Sequence, residues 1–194
     1  LSEVSNGYIN ILFSEPNLFK VSPSGKLLDL YEDEDIRSGM FASNLSGSQV
    51  YTLKYALHPG IGSTNWPVNY KVFRLAEIYL NRAEARWHLR NYTGAEQDLR
   101  VIIGRAYGIA PAEVLLEYTN PSELLELIKK ERRKELAFEG HRIYDITRYK
   151  ENLDRGTGCG SPTCGLTYPN DRFVLPIPQI ELDANPQMQQ NPGY

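Results

Sequence analysis

The densest concentration of chemically capable side chains lies between Glu131 and Arg148, in the string ERRKELAFEGHRIYDITR. Lys130, Arg132, Arg133, Lys134, His141, Arg142 and Arg148 alternate there with carboxylates and with Leu136, Ala137, Phe138, Ile143, Tyr144 and Ile146. Two chemistries suit such a segment: a basic patch for an anionic ligand, or an internal network of ion pairs. A solvated charge run would not be so interleaved with large apolar residues, so the network is the expectation. Its members are Arg132, Glu135, Glu139, Arg142, Asp145 and Arg148, because the planar arginine fork meets carboxylates two bonds at a time and is weakly hydrated. Removing one partner of a buried pair strands the other at roughly 3–5 kcal/mol, so Arg142→Ala is expected to destabilise the fold without altering ligand specificity.

Other groupings carry less chemistry. Glu77 and Glu84 lie seven apart on one predicted helix face and read as surface carboxylates, since an acid and base pair is defined by a spatial separation that spacing does not give. His58, His88 and His141 form no HExxH pattern, and neither a G-x-S-x-G string nor a phosphate-binding loop occurs. Glu32-Asp33-Glu34-Asp35 could chelate calcium, but it lacks the glycine and spacing of an EF-hand loop, so a solvated turn is expected. Cys159 and Cys164 sit in a TGCGSPTCG loop with no histidine near, which argues against zinc. A local disulfide formed in an oxidising compartment is the expectation, with two free thiols as the alternative. No catalytic residue, metal or cofactor is expected.

The chain has 194 residues, 41% of them hydrophobic and 23% charged, enough for a substantial core and unlike a disordered segment. A net charge of −3 provides no basic footprint for nucleic acid. No apolar run reaches the length of a membrane span. No charged n-region precedes an apolar stretch at Leu1-Ser2-Glu3, so no signal peptide is expected, and the start reads as that of a mature product or an excised fragment.

The elements that must position these residues fall into three stretches. Residues 1–70 read as loops with short strands, such as the alternating Val50 to Tyr55. Residues 71–149 read as helical. Val72, Leu75, Ala76, Tyr79, Ala83 and Trp87 recur at threes and fours between Lys71 and Arg90. A second helix follows a capping box at Thr93-Gly94-Ala95-Glu96, with the stripe Ala95, Leu99, Ile102, Ile103 and Ala106. The two form an antiparallel hairpin of tetratricopeptide appearance. A third helix begins at Asn120-Pro121-Ser122-Glu123 and runs to Gly140, and a short one covers Arg142 to Tyr149. Residues 150–194 read as an extended tail with a strand at Arg172 to Leu175. The predicted fold class is mainly α: tetratricopeptide-like helical hairpins with long irregular loops and a few short strands.

Three segments in order carry a resemblance. They are Phe73-Arg74-Leu75-Ala76-Glu77-Ile78-Tyr79-Leu80-Asn81-Arg82-Ala83-Glu84-Ala85, then Glu131 to Arg142 with Asp145 and Arg148, then Leu175-Pro176-Ile177-Pro178 with the closing Asn185-Pro186 and Gln190-Asn191-Pro192-Gly193-Tyr194. Together they resemble the C-terminal part of the SusD/RagB family of outer-membrane glycan-binding lipoproteins. Glu34-Asp35-Ile36-Arg37 also looks like that family's acidic-x-Arg element. The resemblance implies that the chain is the C-terminal portion of one SusD-like domain. It also implies a lipid-anchored location on the surface of the outer membrane, with the anchor outside this chain. The implied partner is a SusC-like TonB-dependent transporter, fed with oligosaccharide or, in some members, peptide.

With that implication, sugar-binding chemistry points to a flat aromatic face that stacks on the C–H face of a pyranose beside planar polar groups. Trp66 in the loop GIGSTNWPVNY is the candidate, flanked by Asn65, Asn69 and Tyr70. Trp87, Tyr79 and Phe138 are expected in the core, while Tyr107 and Tyr168 are undetermined. The functional expectation is non-catalytic binding of oligosaccharide or polysaccharide. The alternatives are a helical-repeat protein adaptor or transporter lid without glycan contact and, more remotely, a glycoside hydrolase.

Overall fold

Small residues at helical spacing let two helices approach closely, and that hairpin organises the first of two compact units, Leu1–Glu139 and Gly140–Tyr194. The computed structural model describes residues 20–55, 72–157, 159–161 and 163–194. In the first unit, α1 (Gly25–Leu28) precedes a 3-10 turn at Ile36–Met40. Strands β1 (Phe41–Ser43) and β2 (Val50–Thr52) then pair antiparallel, with Ala42 opposite Tyr51. Helices α2 (Leu75–His88), α3 (Tyr92–Tyr107) and α4 (Pro121–Glu135) follow. The fold is mainly α, of the tetratricopeptide-like helical type.

The core is the meeting of three stripes: Ala76, Leu80 and Ala83 of α2, Ala95, Leu99 and Ile102 of α3, and Leu124 and Ile128 of α4. Alanines bring α2 and α3 together while the leucines and isoleucines fill the remaining space, which native packing density requires. Tyr79 and Trp87 pack half-buried against this cluster, and the Trp87 indole N–H donates to the Pro121 carbonyl at 2.6 Å. Asp98, buried on α3, ties the hairpin by accepting from Arg82 (2.9 and 2.6 Å) and Arg86 (2.8 Å) of α2.

Boundaries differ from expectation where a better cap exists. Asn91 caps α3 by accepting from the Gly94 amide at 3.0 Å, so the helix starts ahead of the expected Thr93. Arg90 turns the chain in the left-handed region at φ 59°. Asn120 caps α4 through Glu123 N at 3.1 Å with Pro121 in the first turn, as its sequence predicts. α4 ends at Glu135 rather than at Gly140: Leu136 is its C-cap, and both Phe138 (φ 64°) and Gly140 (φ 84°) turn left-handed beyond it.

In the second unit, α5 (Arg142–Tyr149) is followed by β3 (Leu153–Asp154) and β4 (Gly165–Leu166), a hairpin pairing Leu153 with Leu166. A disulfide joins Cys159 to Cys164 with Cα atoms 5.8 Å apart. The strand expected at Arg172 to Leu175 is instead a 3-10 turn at Asp171–Phe173, because Asn170 caps it by accepting from Arg172 N at 3.0 Å. Helix α6 (Gln179–Ala184) starts directly after Pro178. The tail is stitched by side chains acting as strand partners: Gln190 accepts from Ile177 N (2.8 Å) and donates to Ile177 O (2.9 Å), and Asn191 donates to Leu175 O (2.7 Å).

Candidate functional site

The charged end of α4 gathers side chains from segments far apart in sequence. Asp35 caps the 3-10 turn through Arg37 N (3.0 Å), and the Arg37 guanidinium returns two bonds of 2.8 Å to the Asp35 carboxylate. Arg37 also reaches Glu131 at 2.7 Å and Glu135 at 3.4 Å. Lys134, only 1% exposed, lies 2.6 Å from Asp35, 2.9 Å from Glu32 and 3.5 Å from Glu131. The rings of Tyr31 and Tyr107 flank its ammonium. Glu135 accepts from Arg74 at 2.7 Å and Arg105 at 2.6 Å, and Glu139 accepts from Arg74 at 2.8 Å and pairs with Lys54.

The backbone of the same helix end is capped from outside the helix. The final carbonyls of a helix have no partner within it. Here Tyr31 Oη donates to Lys134 O (2.7 Å), Arg74 to Glu135 O (2.9 Å), and Tyr55 Oη to Phe138 O (2.8 Å). Lys54 Nζ bridges Glu135 O (3.0 Å) and Ala137 O (2.7 Å). These bonds explain how Phe138, an aromatic residue, is held at a positive φ that by itself costs of order 1–3 kcal/mol.

Proton affinities follow from this packing. Burial alone would raise the Glu135 carboxyl, but hydrogen bonds from Arg105 and Arg74 override it and hold the group at about 2. Burial likewise works against ionised Asp35 and Glu32, yet Arg37 and Lys134 lower the first, and Tyr107, Lys134 and Lys130 lower the second. Burial would depress the Lys134 ammonium, but Asp35 and Glu131 raise it above its ordinary value. Lys54 goes the other way: burial lowers it despite Glu139. Burial and the bond to Glu32 push Tyr107 up to about 12.

Arg132, Glu135 and Glu139 thus lie in the first unit, where Arg132 bonds Asn81 at 2.7 Å and the two glutamates take Arg37, Lys54, Arg74 and Arg105. Arg142, Asp145 and Arg148 lie in the second, where Arg142 faces Glu151 at 3.5 Å and Arg148 bonds Asp145 at 3.0 Å. The burial expected of Arg142 is corrected: its side chain is 45% exposed, because it points from the start of a short helix. The solvated turn expected at Glu32 to Asp35 holds for the exposed Glu32, Asp33 and Glu34 and is corrected at Asp35, which is fully buried to meet Arg37 and Lys134. Glu77 and Glu84 are buried rather than on the surface. Trp66, Asn65, Asn69 and Tyr70 lie outside the described residues.

Sequence reasoning missed Lys54, Arg74, Arg105 and Lys134. Two signals were present: Lys54 stands beside Tyr55 at the end of an alternating strand, and Lys134 follows Glu131 by three, the spacing at which opposite charges meet on a helix. A groove of about 700 Å³ lies nearby, with Ile103, Ile109, Leu116 and Leu127 on its walls and Glu34 and Lys130 at its rim. Phe73 (78%) and Leu75 (72%) are exposed at the start of α2. Among the described residues no cluster of ligands could hold a metal ion, and no helix is long and apolar enough to cross a membrane.

The sequence pattern of the SusD family matches residues 43–194, which takes in all of this arrangement except Tyr31 and the Glu32 to Arg37 element. The chain belongs to the SusD family. SusD-like protein P2 of Formosa agariphila is 32% identical over 165 residues, which is 78% of this chain and 32% of that protein. A SusD superfamily protein from Bacteroides vulgatus superposes with a TM-score of 0.76 at 27% identity, over 96% of this chain and 42% of its own. A SusD-like carbohydrate binding protein from the same species gives 0.63 at 26% identity, over 83% and 34%. This SusD-family chain therefore spans well under half the length of these relatives.

Proposed function

We propose that this chain is the C-terminal portion of one SusD-like domain, in a protein that binds oligosaccharide or polysaccharide at the cell surface without catalysis. The observation that carries the reading is family membership over residues 43–194, together with likeness over 83% of the chain to a SusD-like carbohydrate binding protein. In this reading the parent protein is held in the outer membrane by a lipid and hands its ligand to a SusC-like TonB-dependent transporter. Trp66 supplies the stacking face, and Asn65, Asn69 and Tyr70 bond the sugar hydroxyls.

The test is affinity electrophoresis and calorimetry of the full-length protein against a panel of polysaccharides, with reducing-sugar release measured alongside. Binding of at least one polysaccharide without release supports the reading, and Trp66→Ala should lower that affinity about tenfold, since one aromatic stack is worth roughly 1–1.5 kcal/mol. Sugar release, or failure on every polysaccharide while a transporter is still retained, overturns it. The second outcome would favour an adaptor or lid role, a reading to which exposed Phe73 and Leu75 lend some support.

A further inference from the structure

A helix on the surface of a protein carries one apolar stripe and turns its other side to water, whereas α2 carries two stripes. The first, Ala76, Leu80, Ala83 and half-buried Trp87, packs into the core. The second runs through Leu75 (72% exposed), Ile78 (48%), Arg82, Ala85 and Leu89 (79%). Its steps of three, four, three and four hold it within about 80° of arc, roughly 150° round the helix from the first, over a length of about 21 Å. That spacing is the one into which the side chains of a second helix pack, and Ala85 lets a neighbouring backbone approach. A pyranose would need a flat aromatic face instead, and this stripe has none.

We infer that the second stripe is the docking surface for an amphipathic helix of the parent protein, from beyond these 194 residues, with carboxylates beside its own apolar side chains. The inference rests on the reading of this chain as one portion of a SusD-like domain. Two observations choose that occupant. The chain covers 32% of one SusD-like relative and 42% of another, so more than half the length of each lies outside the matched part. A single helical hairpin leaves outer faces that a neighbouring unit must cover, and that length can supply one. The edge of the stripe is also basic. Asp98 serves both Arg82 and Arg86, whose side chains are 51% and 30% exposed, and exposed Arg90 follows them. Surplus positive charge favours an acidic flank on the incoming helix and disfavours a second copy of the same stripe.

The test uses the full-length protein with the Cys159–Cys164 disulfide left oxidised. Maleimide labelling of Ile78→Cys and Leu89→Cys is compared with that of Glu126→Cys, whose parent side chain is 68% exposed on α4. Labelling at positions 78 and 89 should be at least about tenfold slower than at 126 in the native protein and equal to it in urea, the pattern of burial by packing. A photo-cross-linking amino acid at position 78 or 89 should join an intrachain peptide outside residues 1–194, with apolar residues at threes and fours and Asp or Glu beside them. Equal native labelling at all three positions overturns the inference. So does a cross-link to a second copy, to a separate protein or to a peptide within residues 1–194. If the Ile78 variants do not fold, those at Leu89, the C-cap of α2, decide. Neither readout uses a polysaccharide, so failure to bind one removes the proposed function and leaves the helix contact to be judged by itself.

Discussion

Replacing Lys134 by methionine removes one charge and keeps the volume and shape of the side chain, which isolates the electrostatic role of a residue 1% exposed. Its ammonium lies 2.6 Å from Asp35, 2.9 Å from Glu32 and 3.5 Å from Glu131. Stranding buried carboxylates costs about 3–5 kcal/mol, and the lower end applies because Asp35 keeps its two bonds from Arg37 and Glu32 is partly solvated. At roughly 2–4 °C per kcal/mol for a chain of this size, the melting midpoint should fall by about 6–12 °C. Thermal and urea denaturation of Lys134→Met, Asp35→Asn and the double variant complete the cycle. The double variant should lose about 1–3 kcal/mol less than the sum of the single losses, because the two groups share one interaction. A loss below about 1 kcal/mol for Lys134→Met, or additivity within about 0.5 kcal/mol, refutes the reasoning. Arg142→Ala is the contrast: an ion pair at 3.5 Å with its arginine 45% exposed contributes at most about 1 kcal/mol, not the larger loss that burial would bring.

Two further predictions concern acid and a close approach. Glu135 is held at about 2, and Glu32 and Asp35 are also lowered, so their stabilisation is present above the ordinary carboxylate range. It should be lost as pH falls from about 4.5 towards 2, since only then does the folded state take up protons that the unfolded state already holds. Urea midpoints should be level from pH 5 to 7 and decline below that range; a decline beginning above pH 5.5 would contradict the assignment. Gly104→Ala in α3 should destabilise by about 1–2 kcal/mol by urea denaturation, although alanine is the better helix former by about 1 kcal/mol, because the new Cβ would lie 2.8 Å from the Ile109 carbonyl oxygen. A stabilised variant would remove that clash from consideration.

Much of the helical scaffold was legible because its signals are local. The spacing of Ala76, Tyr79, Ala83 and Trp87 at threes and fours and the Asn120-Pro121 start each specify an element within a few residues. The α5 bounds, Arg142–Tyr149, follow from the same periodicity. Errors arose where distant partners decide. Asp35 looks like one acid in a solvated run of four, and only the approach of Arg37 and Lys134 makes its burial tolerable. Arg172 to Leu175 has strand-forming side chains, yet among the described residues no strand pairs with it, and Asn170 supplies a competing cap. An ion network is the expectation for the segment, but the cations that meet Glu135 and Glu139, namely Lys54, Arg74 and Arg105, come from elsewhere, and no spacing rule links them to those glutamates.

The placement of these acids runs against the usual preference of helices, and that conflict explains why so many cations assemble. The C-terminal end of a helix carries partial negative charge and favours lysine or arginine, so Glu131, Glu135 and Glu139 at and beyond the end of α4 are each disfavoured there. Burial adds a desolvation cost to every one of them. Within the helix, Lys134 faces Glu131 at 3.5 Å. The offset comes from Arg37, Lys54, Arg74 and Arg105, each on a different segment, together with Lys134. The helix end is therefore stable only when the 3-10 turn, the β2 flank, the start of α2 and the end of α3 all arrive with their cations. Apolar side chains of similar volume could match that stability but would accept many arrangements, whereas carboxylates and guanidinium groups accept few.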